Sequence, residues 1–129
     1  MTQFQRIERP RVAVTRKLLP QIEARMAELF DCRFNADDHP MSADEIVELM
    51  QDADILVPTV TDRIDADLIA KAPASLKMFA NFGAGVNHID LAAAKAKGIL
   101  VTNTPGVFTD DTADLTMALL FAFAAALQY

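Results

Sequence analysis

Five short apolar or β-branched runs recur along this chain, and the stretches between them carry helix signals. No other feature restricts the fold as much. The runs are residues 11–15, 32–34, 54–57, 77–82 and 99–101. After the first run, Pro20 suits the first position of a helix, and Ile22, Met26, Leu29 and Phe30 recur at helical spacing as one stripe expected to be buried. Ser42 and Glu45 form a capping-box pattern, with Ile46, Val47 and Met50 as the apolar face that follows. Asp65 caps a short helix that Pro73 stops. Asp90 caps another, and Gly98 stands where a helix C-terminal glycine belongs. Strands and helices alternating at this spacing make βαβ units. They predict a doubly wound α/β fold with five parallel strands, covered on both faces. A chain of 129 residues, 52% hydrophobic and 23% charged, is long enough for such a core.

The fourth run leads into Asn81-Phe82-Gly83-Ala84-Gly85-Val86-Asn87-His88-Ile89-Asp90. This stretch therefore falls at the carboxyl end of a buried strand, where open α/β sheets bind ligands. Two glycines around one small residue allow a tight turn, and successive backbone N–H groups there can form an anion-binding concavity. The same residues also serve a turn with no ligand, and spacing alone leaves both readings open. Dinucleotide binding at this turn is rejected. Gly83-x-Gly85-x-x-His88 lacks the third glycine of the fingerprint, and the next strand ends in Thr102-Asn103, with no acid for a ribose.

His88 is read as a structural histidine on a helix-entry loop, since a general base needs an orienting partner and Asp90 serves better as a cap. Asp62, Asp65 and Asp67 read as turn and cap residues. Thr59, Val60 and Thr61 follow the third run, on the same sheet end as the glycine turn, where N–H and hydroxyl groups help to line a pocket. The single cysteine, Cys32, excludes an internal disulfide and fits a core or edge position in a reducing, cytoplasmic setting. Neither it nor the two histidines, His39 and His88, shows a metal-ligand spacing, so no metal is expected. A net charge of −6 with no basic face argues against nucleic acid and anionic membranes as partners.

Thr104-Pro105-Gly106 breaks the alternation as a turn or hinge. Thr109 is expected to cap a long helix, with Asp110 and Asp111 in its first turn. The sequence LTMALLFAFAAAL, opening at Leu115 and closing at Leu127, is apolar almost all round and must be covered by something. It is short for a membrane span and begins beside three aspartates, so a partner surface is expected instead.

Several motifs taken in order resemble a known family. Leu56-Val57-Pro58-Thr59-Val60-Thr61, the stretch from Asn81 to Asp90, Gly98-Ile99, Asn103-Thr104-Pro105-Gly106 and Thr109-Asp110-Asp111-Thr112-Ala113-Asp114 are similar to the D-isomer-specific 2-hydroxyacid dehydrogenases, in particular the glyoxylate and hydroxypyruvate reductase branch. The resemblance implies a flavodoxin-like substrate domain over residues 1–104. It also implies a hinge and the first helix of a Rossmann domain over 105–129. Backbone groups of Gly83, Ala84 and Gly85 would hold the carboxylate of a small 2-oxo or 2-hydroxy acid, flanked by Thr59 and Val60. Thr109 would lie on the cofactor side, and the apolar helix would form a homodimer. The cofactor of the whole enzyme would be NAD or NADP. The family's dinucleotide loop, catalytic arginine, glutamate and histidine have no counterpart in these 129 residues. The chain thus looks like the N-terminal portion of such an enzyme, and by itself is expected to bind no dinucleotide well and to transfer no hydride. Two rivals remain: a non-enzymatic flavodoxin-like module that self-associates through its last helix, and a receiver-like domain. The second is weakened by the basic Arg16-Lys17 where an acidic cluster is required.

Overall fold

The structure is a computed structural model and describes residues 9–127. Its five strands are β1 (Arg11–Val14), β2 (Asp31–Arg33), β3 (Ile55–Val57), β4 (Met78–Ala80) and β5 (Leu100–Thr102). Its helices are α1 (Pro20–Leu29), α2 (Ala43–Gln51), α3 (Ala66–Ala70), α4 (Leu91–Ala96) and α5 (Thr109–Ala126). All neighbouring strands pair in parallel, in the order β2-β1-β3-β4-β5. That order is the flavodoxin-like doubly wound arrangement. Strand ends differ from expectation by a residue or two, most at β4, where Phe82 makes only an isolated bridge to Thr59.

Alternation along the strands sorts the core into two layers. Ala13, Leu56 and Phe79 point into the larger one, against Ile46, Leu49 and Met50 of α2, Leu68 and Ile69 of α3, and Ala94 of α4. Val12, Val14 and Val57 point the other way and meet Met26 and Phe30. Both faces are covered, as expected, but unequally: among the described residues only α1 packs on this second face. The predicted α1 stripe is accordingly half realised. Met26 and Phe30 pack inward, whereas Ile22 and Leu29 stay exposed because no second layer stands opposite them.

Local start and stop signals hold where they are side-chain caps. Ser42 and Glu45 make both bonds of the capping box, Asp65 accepts from the Leu68 N–H, and Asp90 accepts from the Ala93 N–H. Gly98 takes φ +74°, the left-handed turn that ends α4 without a Cβ penalty. Thr109 is a correction. It is the first helical residue of α5, Phe108 holds the cap position, and no side chain bonds there. Cys32 lies half-buried on the edge strand β2, and burial pushes its thiol pKa up.

Loop 35–40 is held down by His39. Its Nδ1 lies 2.9 Å from Asp37 and its Nε2 3.0 Å from Glu45. The two carboxylates, Asp37 first, raise the His39 pKa above the ordinary 6.5. Backbone and hydroxyl bonds from Ser42, then His39, hold Glu45 down at about 2, and His39 holds Asp37 down. The signs fix a window. The histidine contribution is full below pH 6.5 and fades as pH rises through the raised folded value. The carboxylate contributions are full above pH 4.5 and fade as pH falls towards 2. An NMR titration of the His39 ring is expected to give a midpoint above 6.5 that drops in Asp37→Asn and in Glu45→Gln. A midpoint at or below 6.5 in the unaltered chain would show that the latch does not form.

Candidate functional site

The carboxyl edge of the sheet gathers four loops: 15–19 after β1, 35–40 after β2, 58–62 after β3 and 81–90 after β4. The third and fourth lie side by side. Phe82 N–H donates to the Pro58 carbonyl at 2.8 Å, Ile64 N–H to the His88 carbonyl at 2.8 Å, and Asp90 N–H to the Ile64 carbonyl at 2.9 Å. Thr59 and Val60 thus stand beside the glycine turn, as the sequence order suggested.

The turn is built on Asn81, which is buried. Its Nδ2 donates to the carbonyls of Gly83 (3.1 Å) and Gly85 (2.9 Å), and its Oδ1 lies 2.9 Å from His88 Nε2. Because the amide nitrogen faces two carbonyls, the amide oxygen must face the histidine. Nε2 therefore carries the proton and donates. Burial lowers the His88 pKa, which favours the neutral ring. His88 is a positioned donor, in keeping with the structural role expected of it. A third tie comes from Asn103, whose Nδ2 donates to the Ala84 carbonyl at 2.8 Å.

Asn81 and Asn103 thus occupy the carbonyls of Gly83, Ala84 and Gly85. Gly83 N–H is spent on the Asn81 carbonyl at 3.0 Å. Among the described residues, no group accepts from the N–H of Ala84, Gly85 or Val86. Ala84 and Gly85 are exposed. Of the expected Gly83, Ala84 and Gly85, the first has its N–H occupied and the other two do not, and Val86, which the sequence did not single out, shares their state. The two glycines also differ. A Cβ on Gly83 would stand 2.9 Å from Val60 Cγ1, so any larger residue there would have to push the exposed Val60 side chain aside. A Cβ on Gly85 would meet nothing within 4 Å, and Gly85 is not among the residues with positive φ.

Asp62 does more than shape a turn. It is buried, and its Oδ2 accepts from the Thr15 hydroxyl and from Thr59 N–H at 2.7 Å. Thr15 in turn takes a bond from Asn35 Nδ2 on its carbonyl at 2.8 Å. Arg16 forks onto Asp38, with Nε to Oδ1 at 2.9 Å and Nη2 to Oδ2 at 3.3 Å, and its Nη1 donates to Thr61 Oγ1 at 3.0 Å. Arg16 is the main reason that Asp38 is held down at about 2. Neither Asp62 nor Arg16 carries a motif, so no signal in the sequence pointed to these roles. Thr109 lies exposed at the start of α5, apart from this network.

A ribose acid and a third glycine are absent from the turn, and Asn103 Nδ2 is committed to Ala84. The described residues hold no group of three or more His, Cys, Asp or Glu able to bind a metal ion. No described helix is long and apolar enough to cross a membrane.

Comparison with known proteins agrees with the sheet order and the motif series. Residues 12–127 match the family model for the D-isomer specific 2-hydroxyacid dehydrogenase catalytic domain. Glyoxylate reductase from Korarchaeum cryptofilum is 41% identical over 116 residues, covering 90% of this chain and 35% of that enzyme. Glyoxylate reductase from Aeropyrum pernix is 38% identical, covering 92% and 35%. Among solved structures, the TT0316 protein of Thermus thermophilus superposes with a TM-score of 0.74 at 43% identity, over 87% of this chain and 36% of that one. The NADPH-dependent glyoxylate/hydroxypyruvate reductase of Sinorhizobium meliloti, in complex with NADP and malonate, gives 0.69 at 32% identity, over 88% and 34%. The chain spans about a third of the length of the curated relatives it matches. With nine tenths of its own length matched in this way, it belongs to the D-isomer specific 2-hydroxyacid dehydrogenase family.

Proposed function

We propose that this chain is the substrate-binding portion of an NAD(P)-dependent 2-oxo acid reductase of the glyoxylate/hydroxypyruvate type, acting in the cytoplasm. Residues 1–104 form the substrate domain, and residues 105–129 form the hinge and first helix of the cofactor domain, with Thr109 facing the cofactor. The observation that carries this reading is the set of N–H groups at Ala84, Gly85 and Val86 that have no acceptor among the described residues, on the sheet edge where such folds bind ligands. A carboxylate suits a turn with several free N–H groups, and holding it there orients the rest of a small acid, a proximity contribution to rate. Val60 and the Thr59 hydroxyl flank the bound acid. In the whole enzyme the nicotinamide exchanges hydride with the C2 carbon. By itself this chain supplies the carboxylate clamp and does not turn over glyoxylate.

The test is amide NMR during titration with oxalate or glyoxylate, with acetate as the weaker control. Shifts are expected at residues 84–86, with smaller ones at 59 and 60. Gly85→Val is expected to abolish them while the rest of the amide spectrum stays in place, because its side chain enters open space where the acid approaches. Perturbed amides elsewhere, or an unchanged titration in Gly85→Val, would mean that the turn is only a turn.

A further inference from the structure

The Thr59 hydroxyl belongs to a chain of hydrogen bonds whose two ends have fixed polarity. At one end stands Arg16, which can only donate, and whose Nη1 lies 3.0 Å from Thr61 Oγ1. Thr61 Oγ1 lies 2.9 Å from Thr59 Oγ1. At the other end stands the Asp62 carboxylate, 3.4 Å from Thr59 Oγ1. A donor-only group at the start and an acceptor at the end run the chain one way: Arg16 to Thr61, Thr61 to Thr59, Thr59 to Asp62.

The last link is the weakest. Asp62 Oδ2 already accepts from Thr59 N–H at 2.7 Å and from the buried Thr15 hydroxyl. At 3.4 Å the Thr59 hydroxyl adds little to it, since such bonds weaken steeply with distance. This proton is the one that an arriving acceptor can take at least cost. Thr59 N–H is committed, so the hydroxyl is the one donor this residue has left for a ligand. Thr59 pairs with Phe82 in a parallel bridge, which sets its backbone beside the strand end that leads into the turn.

We propose that Arg16 is a positioning residue for the carboxylate site. Through Thr61 it turns the Thr59 hydroxyl into a donor and adds a fourth contact to the three N–H groups of Ala84, Gly85 and Val86. The inference rests on the glycine turn being that site. Arg16 itself is held in place by its fork onto Asp38, so it acts through the hydroxyls and does not touch the acid. The relay joins residues from two loops, 15–19 and 58–62, with Asp38 of a third holding Arg16, which makes the fourth contact a product of the assembled sheet edge.

Oxalate titration of the full chain, read at the amides of 84–86, tests both readings separately. Arg16→Met removes the donor and is expected to weaken oxalate by about fivefold, the size of one net hydrogen bond. Thr61→Val cuts the relay at an exposed position while leaving the Arg16–Asp38 pair intact, and is expected to weaken it by about the same factor. The double variant is expected to lose no more than either single one, because both act on one chain of bonds. Arg16→Lys, still a donor-only cation, is expected to recover most of the affinity. Far-UV circular dichroism and the amide spectrum check that each variant is folded. If the unaltered chain shows no shifts at 84–86, the site reading fails and takes this inference with it. If the unaltered chain binds and both variants bind as tightly, the Arg16 inference alone is overturned. Loss in Arg16→Met with Thr61→Val unchanged also overturns it, since the arginine would then act by charge alone.

Discussion

Replacing Asn81 with alanine is expected to cost roughly 2–3 kcal/mol of stability and to erase carboxylate binding at the turn. Asn81 is 3% exposed and makes three side-chain bonds, to the Gly83 and Gly85 carbonyls and to His88. Each contributes about 0.5–1.5 kcal/mol net. The loss stays below the sum of the upper values because Gly85 is exposed and water can reach its carbonyl. The effect on binding is larger than the effect on stability. Once the carbonyls are released, nothing holds the backbone of residues 83–86 in the conformation that leaves its N–H groups free. Urea denaturation reads the first effect as a lower midpoint at unchanged slope, and oxalate titration reads the second. Asn81→Asp is a sharper probe. It keeps an acceptor for His88, but sets a carboxylate against two carbonyl oxygens, and is expected to bind no better than Asn81→Ala. It also reverses the His88 shift, because a neighbouring negative charge favours the imidazolium. An Asn81→Ala chain within about 0.5 kcal/mol of the original and still binding oxalate at 84–86 would show that the turn shapes itself.

Leu120→Lys with Phe123→Lys is expected to convert a self-associating chain into a monomer. Every described residue from Thr102 to Leu127 is exposed, and α5 carries Leu115 at 61%, Leu119 at 62%, Phe121 at 67% and Phe123 at 66% exposure. These side chains lie on all sides of the helix, so one face cannot hide the others. Soluble monomers seldom leave an apolar patch of this kind uncovered. Burying a Leu or Phe contributes roughly 1.5–3 kcal/mol. In a twofold pair each substitution counts twice, so four lost side chains remove roughly 6–12 kcal/mol. A micromolar dimer holds only about 8 kcal/mol, so the double variant has little left to associate with. Sedimentation velocity across a hundredfold range of concentration distinguishes the two. A clean monomer for the unaltered chain at the highest concentration, with α5 helical by circular dichroism, would end the pairing reading.

The sequence by itself determined the parts of this protein that act over a few residues. Ser42 with Glu45, Asp65 and Asp90 each bond three residues along, and Gly98 ends its helix by its own backbone freedom. Periodicity located all five strands and five helices, and the ordered motifs identified the family before any contact was known. Thr109 shows the limit of such signals. A hydroxyl near a helix start is read as a cap, yet the cap position falls one residue earlier, at Phe108, and Thr109 is already helical. The tertiary structure alone decided the burial of Asp62 and which glycine lies close to a neighbouring loop. Thr15 and Asp62 are 47 residues apart, Arg16 and Thr61 are 45 apart, and Arg16 and Asp38 are 22 apart. A hydrogen bond depends on distance and direction in space. Those are set only when parallel pairing of β1 and β3 brings the ends of their loops together. For the same reason, the closeness of Gly83 to Val60 is visible only in the 2.9 Å between its missing Cβ and Val60 Cγ1, and the freedom at Gly85 only in the empty space beside it.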